Sequence, residues 1–230
     1  MRRHTRCPRD ERVAGIYFMT GTITSISPSK RDPNMRDVFV DDALETTLPA
    51  TVVVQLKIEI DCKWTPDIGK QAESIAASEK ARQMALSLIS RRMWGCKELE
   101  TRLVKRGVES STATAVTEQL AEDGWLNDVQ YACALIRQWI RKEPAGRRWL
   151  RHKLREKQIT VDVATHAVEV ELGDSSEQDA ADAFAAIRLS KIRNVEDEIA
   201  VRRVRAALNR RGFDADVAMD AIRSAQVDGA

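Results

Sequence analysis

The sequence predicts a mainly α protein in which tandem three-helix repeats form an elongated array, preceded by a small N-terminal β-hairpin segment. Three observations predict it. One phrase recurs, as RLVKRGVE at 102–109, KLREKQIT at 153–160 and ALNRRGFD at 207–214. After Pro66 the only proline is Pro144, and apolar residues return at spacings of three and four, the period of a helix with one buried stripe. Ahead of Pro66, short runs rich in β-branched residues alternate with Pro, Asn and Asp, the composition of strands and their turns.

Taken in chain order, residues 1–19 are polar and Arg-rich and read as a flexible basic arm, with Met19 an alternative start to Met1. Residues 20–77 form a β-containing segment. Within it GTITSI and DVFVDD read as paired strands, and SPSKRDPN reads as a loop carrying Lys30 and Arg31. The stretch ATVVVQLKIEIDCKW has strand composition and an alternating tail from Lys57 to Asp61. Helices fill the remainder as three triplets, over 78–126, 127–175 and 176–230. Met84, Ala85, Leu88 and Ile89 make the first apolar stripe, and the pairs Leu99/Leu103, Leu150/Leu154 and Val204/Leu208 lead into the recurring phrase. Leu103 and Leu154 are 51 positions apart, and Leu154 and Leu208 are 54 apart, so the phrase marks one place in each unit.

That place is a helix end. Gly107 and Gly212 suit a left-handed residue just past a C-terminus, where a Cβ is costly. The middle copy has Gln158 there, so its turn either differs or bears strain. An apolar residue follows in each copy, Val108, Ile159 or Phe213, and then candidate caps for the next helix: Glu109 and Ser110, Thr160 and Asp162, Asp214 and Asp216. A buried Leu-sized side chain contributes about 1.5–3 kcal/mol, so one triplet alone is marginal and neighbouring triplets must share faces. The acidic stretch Glu169–Asp182 reads as a solvated linker and helix start between the second and third units.

Composition narrows the chemistry. A net charge of +2 over 230 residues excludes bulk polycation binding, so any basic function is local. Cys7, Cys62, Cys96 and Cys133 are scattered, and His4, His152 and His166 form no ligand spacing with them; neither a zinc site nor a disulfide framework is expected. The N-terminus lacks a signal-peptide core and no run reaches the roughly 20 apolar residues of a membrane span, so a cytoplasmic protein with reduced thiols and no membrane contact is expected. Nothing resembles a phosphate loop, a nucleophile with its base, or a paired carboxylate site. The chain therefore reads as no enzyme, with no catalytic residue, metal or cofactor.

Local charge is another matter. Between 137 and 157 nine cations, Arg137, Arg141, Lys142, Arg147, Arg148, Arg151, Lys153, Arg155 and Lys157, face two acids, Glu143 and Glu156. Arg91, Arg92, Lys97, Arg102, Lys105 and Arg106 form a smaller set in the first triplet, and Arg202, Arg203, Arg205, Arg210 and Arg211 in the third are offset by acids. Such clusters beside aromatic residues can grip phosphates or an acidic protein surface. Arg147, Arg148 and Arg151 are expected to be exposed. Trp94, Trp125, Trp139 and Trp149 sit beside apolar helix positions and are expected to pack in cores or between triplets.

These residues carry a family resemblance. ALSLISRRMWGCKELETRLVKRGV, LAEDGWLNDVQYACALIR and GRRWLRHKLREKQI, in that order and preceded by ITSISPSKRDPNMRDVFVDD, resemble the RecX family of bacterial regulatory proteins. Gln158 stands where the family usually has Gly, the third unit is more diverged, and members often place a helix where ATVVVQLKIEI reads as a strand. The resemblance implies a non-catalytic modulator that binds the RecA filament on single-stranded DNA; a monomer that touches the DNA weakly or indirectly is expected. It implies suppression of the filament's ATPase, strand-exchange and co-protease activities, within DNA repair, homologous recombination and the SOS response. The alternative is a helix-turn-helix-like regulator acting directly on DNA, since three-helix units and a basic run also suit a groove.

Overall fold

The structure is a computed structural model that describes residues 20–173, 177–192 and 197–227. The basic arm, with His4 and Cys7, lies outside the described residues. Two compact units divide the chain between Gln83 and Met84.

In the first unit, β1 (Gly21–Pro28), β2 (Met35–Val40), β3 (Ala43–Pro49) and the short β4 (Lys63–Trp64) form one sheet in the order β3-β2-β1-β4. All three pairings are antiparallel. The expected hairpin is thus present and is extended by a third full strand, ALETTLP. Asp41 and Asp42 connect β2 to β3 with φ of 46° and 66°, the left-handed pair that a two-residue hairpin turn requires. Asp41 closes that turn against β1 by accepting from the Thr22 N–H at 3.0 Å. Ile23, Val38, Val40 and Leu48 turn inward from the sheet.

The stretch ATVVVQ departs from its strand composition. It is helical, α1 (Ala50–Gln55), with Val52 and Val53 buried and Val54 left in solvent. Two adjacent buried residues are incompatible with the alternation of a strand; packing against the sheet core overrides β-propensity here. The tail Lys57–Asp61 is turn, with φ of 50° at Lys57 and 69° at Asp61, angles no extended strand adopts.

Pro66 then opens α2 (Pro66–Ile89), a first helical position where its missing N–H costs nothing. This helix runs without a break across residue 78. Its end belongs to the second unit, which continues with α3 (Cys96–Val104), α4 (Ser110–Glu122), α5 (Asp128–Lys142), α6 (Arg147–Glu156), α7 (Val161–Leu172), α8 (Glu177–Ser190), α9 (Asp197–Arg210) and α10 (Ala215–Val227). These helices form successive triplets. The second has its own core around Ile136, Leu150, Leu154, Ile159 and Val168. The third has another around Phe184, Val204, Leu208, Phe213 and Ile222.

The recurring phrase is a Schellman turn, built the same way each time. Gly107, Gln158 and Gly212 have φ of 89°, 62° and 85°. The next residue's N–H reaches back to a buried leucine: Val108 to Leu103 O at 3.2 Å, Ile159 to Leu154 O at 3.1 Å, and Phe213 to Leu208 O at 3.2 Å. Gln158 therefore keeps the geometry of its glycine counterparts and bears the strain. Of the expected caps, Glu109 and Thr160 hold the cap positions of α4 and α7 without making a side-chain capping bond. The acidic stretch holds the expected helix start, since Glu177–Asp182 begin α8, but its first part is not linker: Glu169–Leu172 end α7.

Candidate basic interface

The first and second triplets meet through a polar latch. Arg92 grips Glu98 with two N–H donors, at 2.9 and 3.1 Å, and its guanidinium stacks on Trp94 at 3.4 Å. Tyr131 of α5 donates its hydroxyl to the same carboxylate at 2.8 Å. Burial raises the Glu98 pKa, but the Arg92 and Tyr131 hydrogen bonds outweigh it and hold the carboxyl below its usual range. Burial, reinforced by Glu98, pushes the Tyr131 phenol up to about 12. Beside this group, Asp128 accepts from the Cys96 N–H at 2.8 Å, and burial followed by Asp128 pushes the Cys96 thiol up to about 11, which keeps it protonated and unreactive.

On one flank of the latch lies a cleft of about 500 Å³. Arg91, Arg92, Arg102, Lys105 and Arg106, the first-triplet cations apart from Lys97, line it together with Trp94 and Gln158. Lys97 is tied to Glu100 at 2.6 Å. Among the described residues the only acid in the wall is Glu98, and Arg92 neutralises it. Among the described residues, Arg91, Arg102, Lys105 and Arg106 are exposed with no ion pair or side-chain hydrogen bond of their own. Lys157 approaches closely enough to help lower the Glu98 pKa.

The longer basic run is dispersed. Arg147, expected to be exposed, is half-buried: its guanidinium donates to Gly173 O at 2.7 Å and its backbone N–H to Glu177 at 2.9 Å. Arg148 is exposed but reaches the third triplet, 3.7 Å from Asp214. Arg151, also expected in solvent, is half-buried along α6. The Arg211–Gly212 turn docks on the start of α6, where the Gly146 N–H donates to Arg211 O at 3.0 Å. There Arg211 stacks on Trp149 at 4.0 Å and donates to Pro144 O and Glu143 O at 2.9 and 2.8 Å. Burial pulls the Arg211 guanidinium below its usual value, with Glu143 opposing. Arg137 pairs with Glu171 at 3.5 Å and Lys153 with Glu156 at 2.6 Å. Arg141, Lys142, Arg155 and Lys157 are exposed without an ion pair among the described residues.

Three tryptophans pack as their neighbours predict. Trp139 and Trp149 meet edge to face at 5.8 Å against the second core, and Trp94 donates its indole N–H to Leu88 O at 3.0 Å. Trp125 does not, being 57% exposed in the turn between α4 and α5. Sequence reasoning passes over Tyr131 and sets Arg211 aside among cations offset by acids, yet both join triplets. Arg211 shares its basic turn with Arg106 and Lys157, so nothing local marks it as the one that docks.

Comparison with known proteins places these features in a family. The model of the RecX first three-helix domain matches residues 81–120, which end at the last buried leucine of α4. The regulatory protein RecX of Mycobacterium avium (strain 104) is 32% identical over 149 residues, covering 63% of this chain and 83% of that protein. The Xanthomonas campestris pv. campestris (strain B100) protein of the same name is 35% identical over 136 residues, 57% of this chain and 79% of its own. The Clostridium perfringens (strain SM101 / Type A) protein is 31% identical, and the match spans 66% of its length. A crystal structure of regulatory protein RecX superposes with a TM-score of 0.74 over 88% of this chain and 98% of that one; at 18% identity this likeness speaks for the fold. Tandem three-helix units, ordered motifs and relatives matched over most of their length agree, and the chain belongs to the RecX family of regulatory proteins.

Proposed function

We propose that this chain is a non-catalytic regulator that binds the RecA filament on single-stranded DNA and lowers its ATPase, strand-exchange and co-protease activities, acting in the cytoplasm as a monomer. The observation that carries this reading is how the fold uses its cations. Arginines at the junction of the second and third triplets are engaged within the chain. Arg91, Arg102, Lys105 and Arg106 are left facing one cleft. Charges kept together in solvent and unpaired raise self-repulsion, and a polyanionic partner relieves it. A filament of recombinase on DNA offers such a partner.

Added to RecA assembled on single-stranded DNA, the purified chain should lower the rate of ATP hydrolysis in proportion to its amount. An unchanged rate at stoichiometric protein would overturn the proposal. Tight, sequence-selective binding to duplex without RecA would instead favour a helix-turn-helix-like regulator acting directly on DNA.

A further inference from the structure

Trp125 stands where its own turn would normally bury it. Helix α4 ends as α3, α6 and α9 do: Gly124 has φ of 79°, its N–H reaches Ala121 O at 3.0 Å, and the Trp125 N–H reaches Leu120 O at 2.9 Å. After the other three left-handed residues, Ile159 and Phe213 are buried and Val108 is half-buried. At α4 the next residue along, Leu126, takes the core position, and the indole remains 57% exposed. A large aromatic is left in water although the core beside it is closed without it.

Its surroundings are selective. Trp125 lines a cleft of about 340 Å³ with Met93, Trp94, Arg91 and Arg92, and no carboxylate among the described residues lines it. Met93 is itself 48% exposed. Gly124, also in the wall, has open space where a Cβ would stand. Arg91, Arg92 and Trp94 are shared with the 500 Å³ cleft that holds Arg102, Lys105 and Arg106. The stacked Arg92–Trp94 pair is thus a common wall, with an aromatic and thioether surface on one side and free cations on the other.

We infer that these adjoining clefts form a site for single-stranded nucleic acid, in which an unpaired base stacks on Trp125 while its neighbouring phosphates lie against Arg102, Lys105 and Arg106. The chemistry selects this occupant. An unpaired nucleotide offers a planar π face and a phosphate within one repeat unit, whereas a duplex hides its base faces and an acidic peptide has charge without an obligatory plane. This deepens the regulatory reading by naming the part of a protein–DNA filament that the first triplet would touch. Its test contains no recombinase, so either reading can fail alone.

The test is titration of labelled oligothymidine with the full chain, followed by fluorescence anisotropy across a salt series. W125A should weaken binding about ten-fold and leave the salt slope unchanged. R102A/K105A/R106A should flatten the log–log slope by about 0.7 for each phosphate that is no longer neutralised. Because Leu126 holds the core, W125A should melt as the parent does. Should it not, acrylamide quenching decides: bound oligothymidine should shield one exposed indole in the parent and none in W125F. Equal affinity of W125A and parent, or no shielding, overturns the inference. So does duplex binding as tight as oligothymidine binding, or displacement by polyglutamate from a site insensitive to W125A, which would assign the clefts to a groove contact or an acidic protein.

Discussion

Gln158 holds a φ of 62° at a position where both of its counterparts are glycine. A side chain in the left-handed region costs about 1–2 kcal/mol. The hydrogen bond that the Gln158 side chain accepts from the Thr101 hydroxyl is long, 3.4 Å, and offsets little of that cost. Gln158→Gly should therefore stabilise the second triplet by about 1 kcal/mol, less than the full strain because glycine loses more chain entropy on folding. A thermal melt should show a rise of about 2–4 °C. Glu98 makes the opposite kind of contribution. Its folded pKa lies below the usual 4.5, so the stability it confers is present above that value and lost as pH falls through the folded pKa. Glu98→Gln should lower the melting temperature at neutral pH and flatten its decline below about pH 4.5, as measured by melts across pH. The turn at Gln158 was legible from the repeat, because two glycines occupy its counterparts, but only the φ of 62° decided that the turn keeps their geometry and bears strain. The Glu98 latch was not legible, because its partner Tyr131 lies 33 positions away and no local pattern links them.

Elements show the same division. Apolar spacing of three and four locates the triplet helices, since a helix buries one stripe whatever it packs against. It fails at ATVVVQ, where a run apolar on every side fits either a strand or a helix and the sheet beneath decides. Junctions between elements are equally opaque. Gly107 and Gly212 look interchangeable in sequence, yet a Cβ at 107 would stand in open space and one at 212 would fall 2.4 Å from the Trp149 backbone nitrogen. Gly107→Ala should cost only the left-handed penalty, about 1 kcal/mol. Gly212→Ala adds a backbone clash and should cost about 3 kcal/mol, loosening the third triplet from the second. Hydrogen exchange should then accelerate across α8–α10 in the 212 variant and remain at parent rates in the 107 variant.

For the molecule as a whole, the two basic sets differ in how the fold engages them, and charge reversal tests the roles proposed for them. R102E/K105E/R106E should abolish most of the effect on RecA ATP hydrolysis while the chain melts as before, because these side chains line a cleft without internal partners. R147E/R148E/R151E should lower stability first, since Arg147 and Arg148 hold groups of the third triplet or its approach. Comparing ATPase and melting curves of the two variants checks both outcomes. A count of charge ranks the sets the other way, with the longer run the stronger candidate, because formal charge carries no information about which cations the fold consumes. By itself the sequence determined the helical class, the recurring phrase and the helix end that it marks, all of which depend on spacing along the chain and on local backbone preference, while its ordered motifs carried the resemblance to the family. Only the tertiary structure decided which arginines join triplets, which remain free, and that Trp125 faces water, because these depend on groups that meet across dozens of residues.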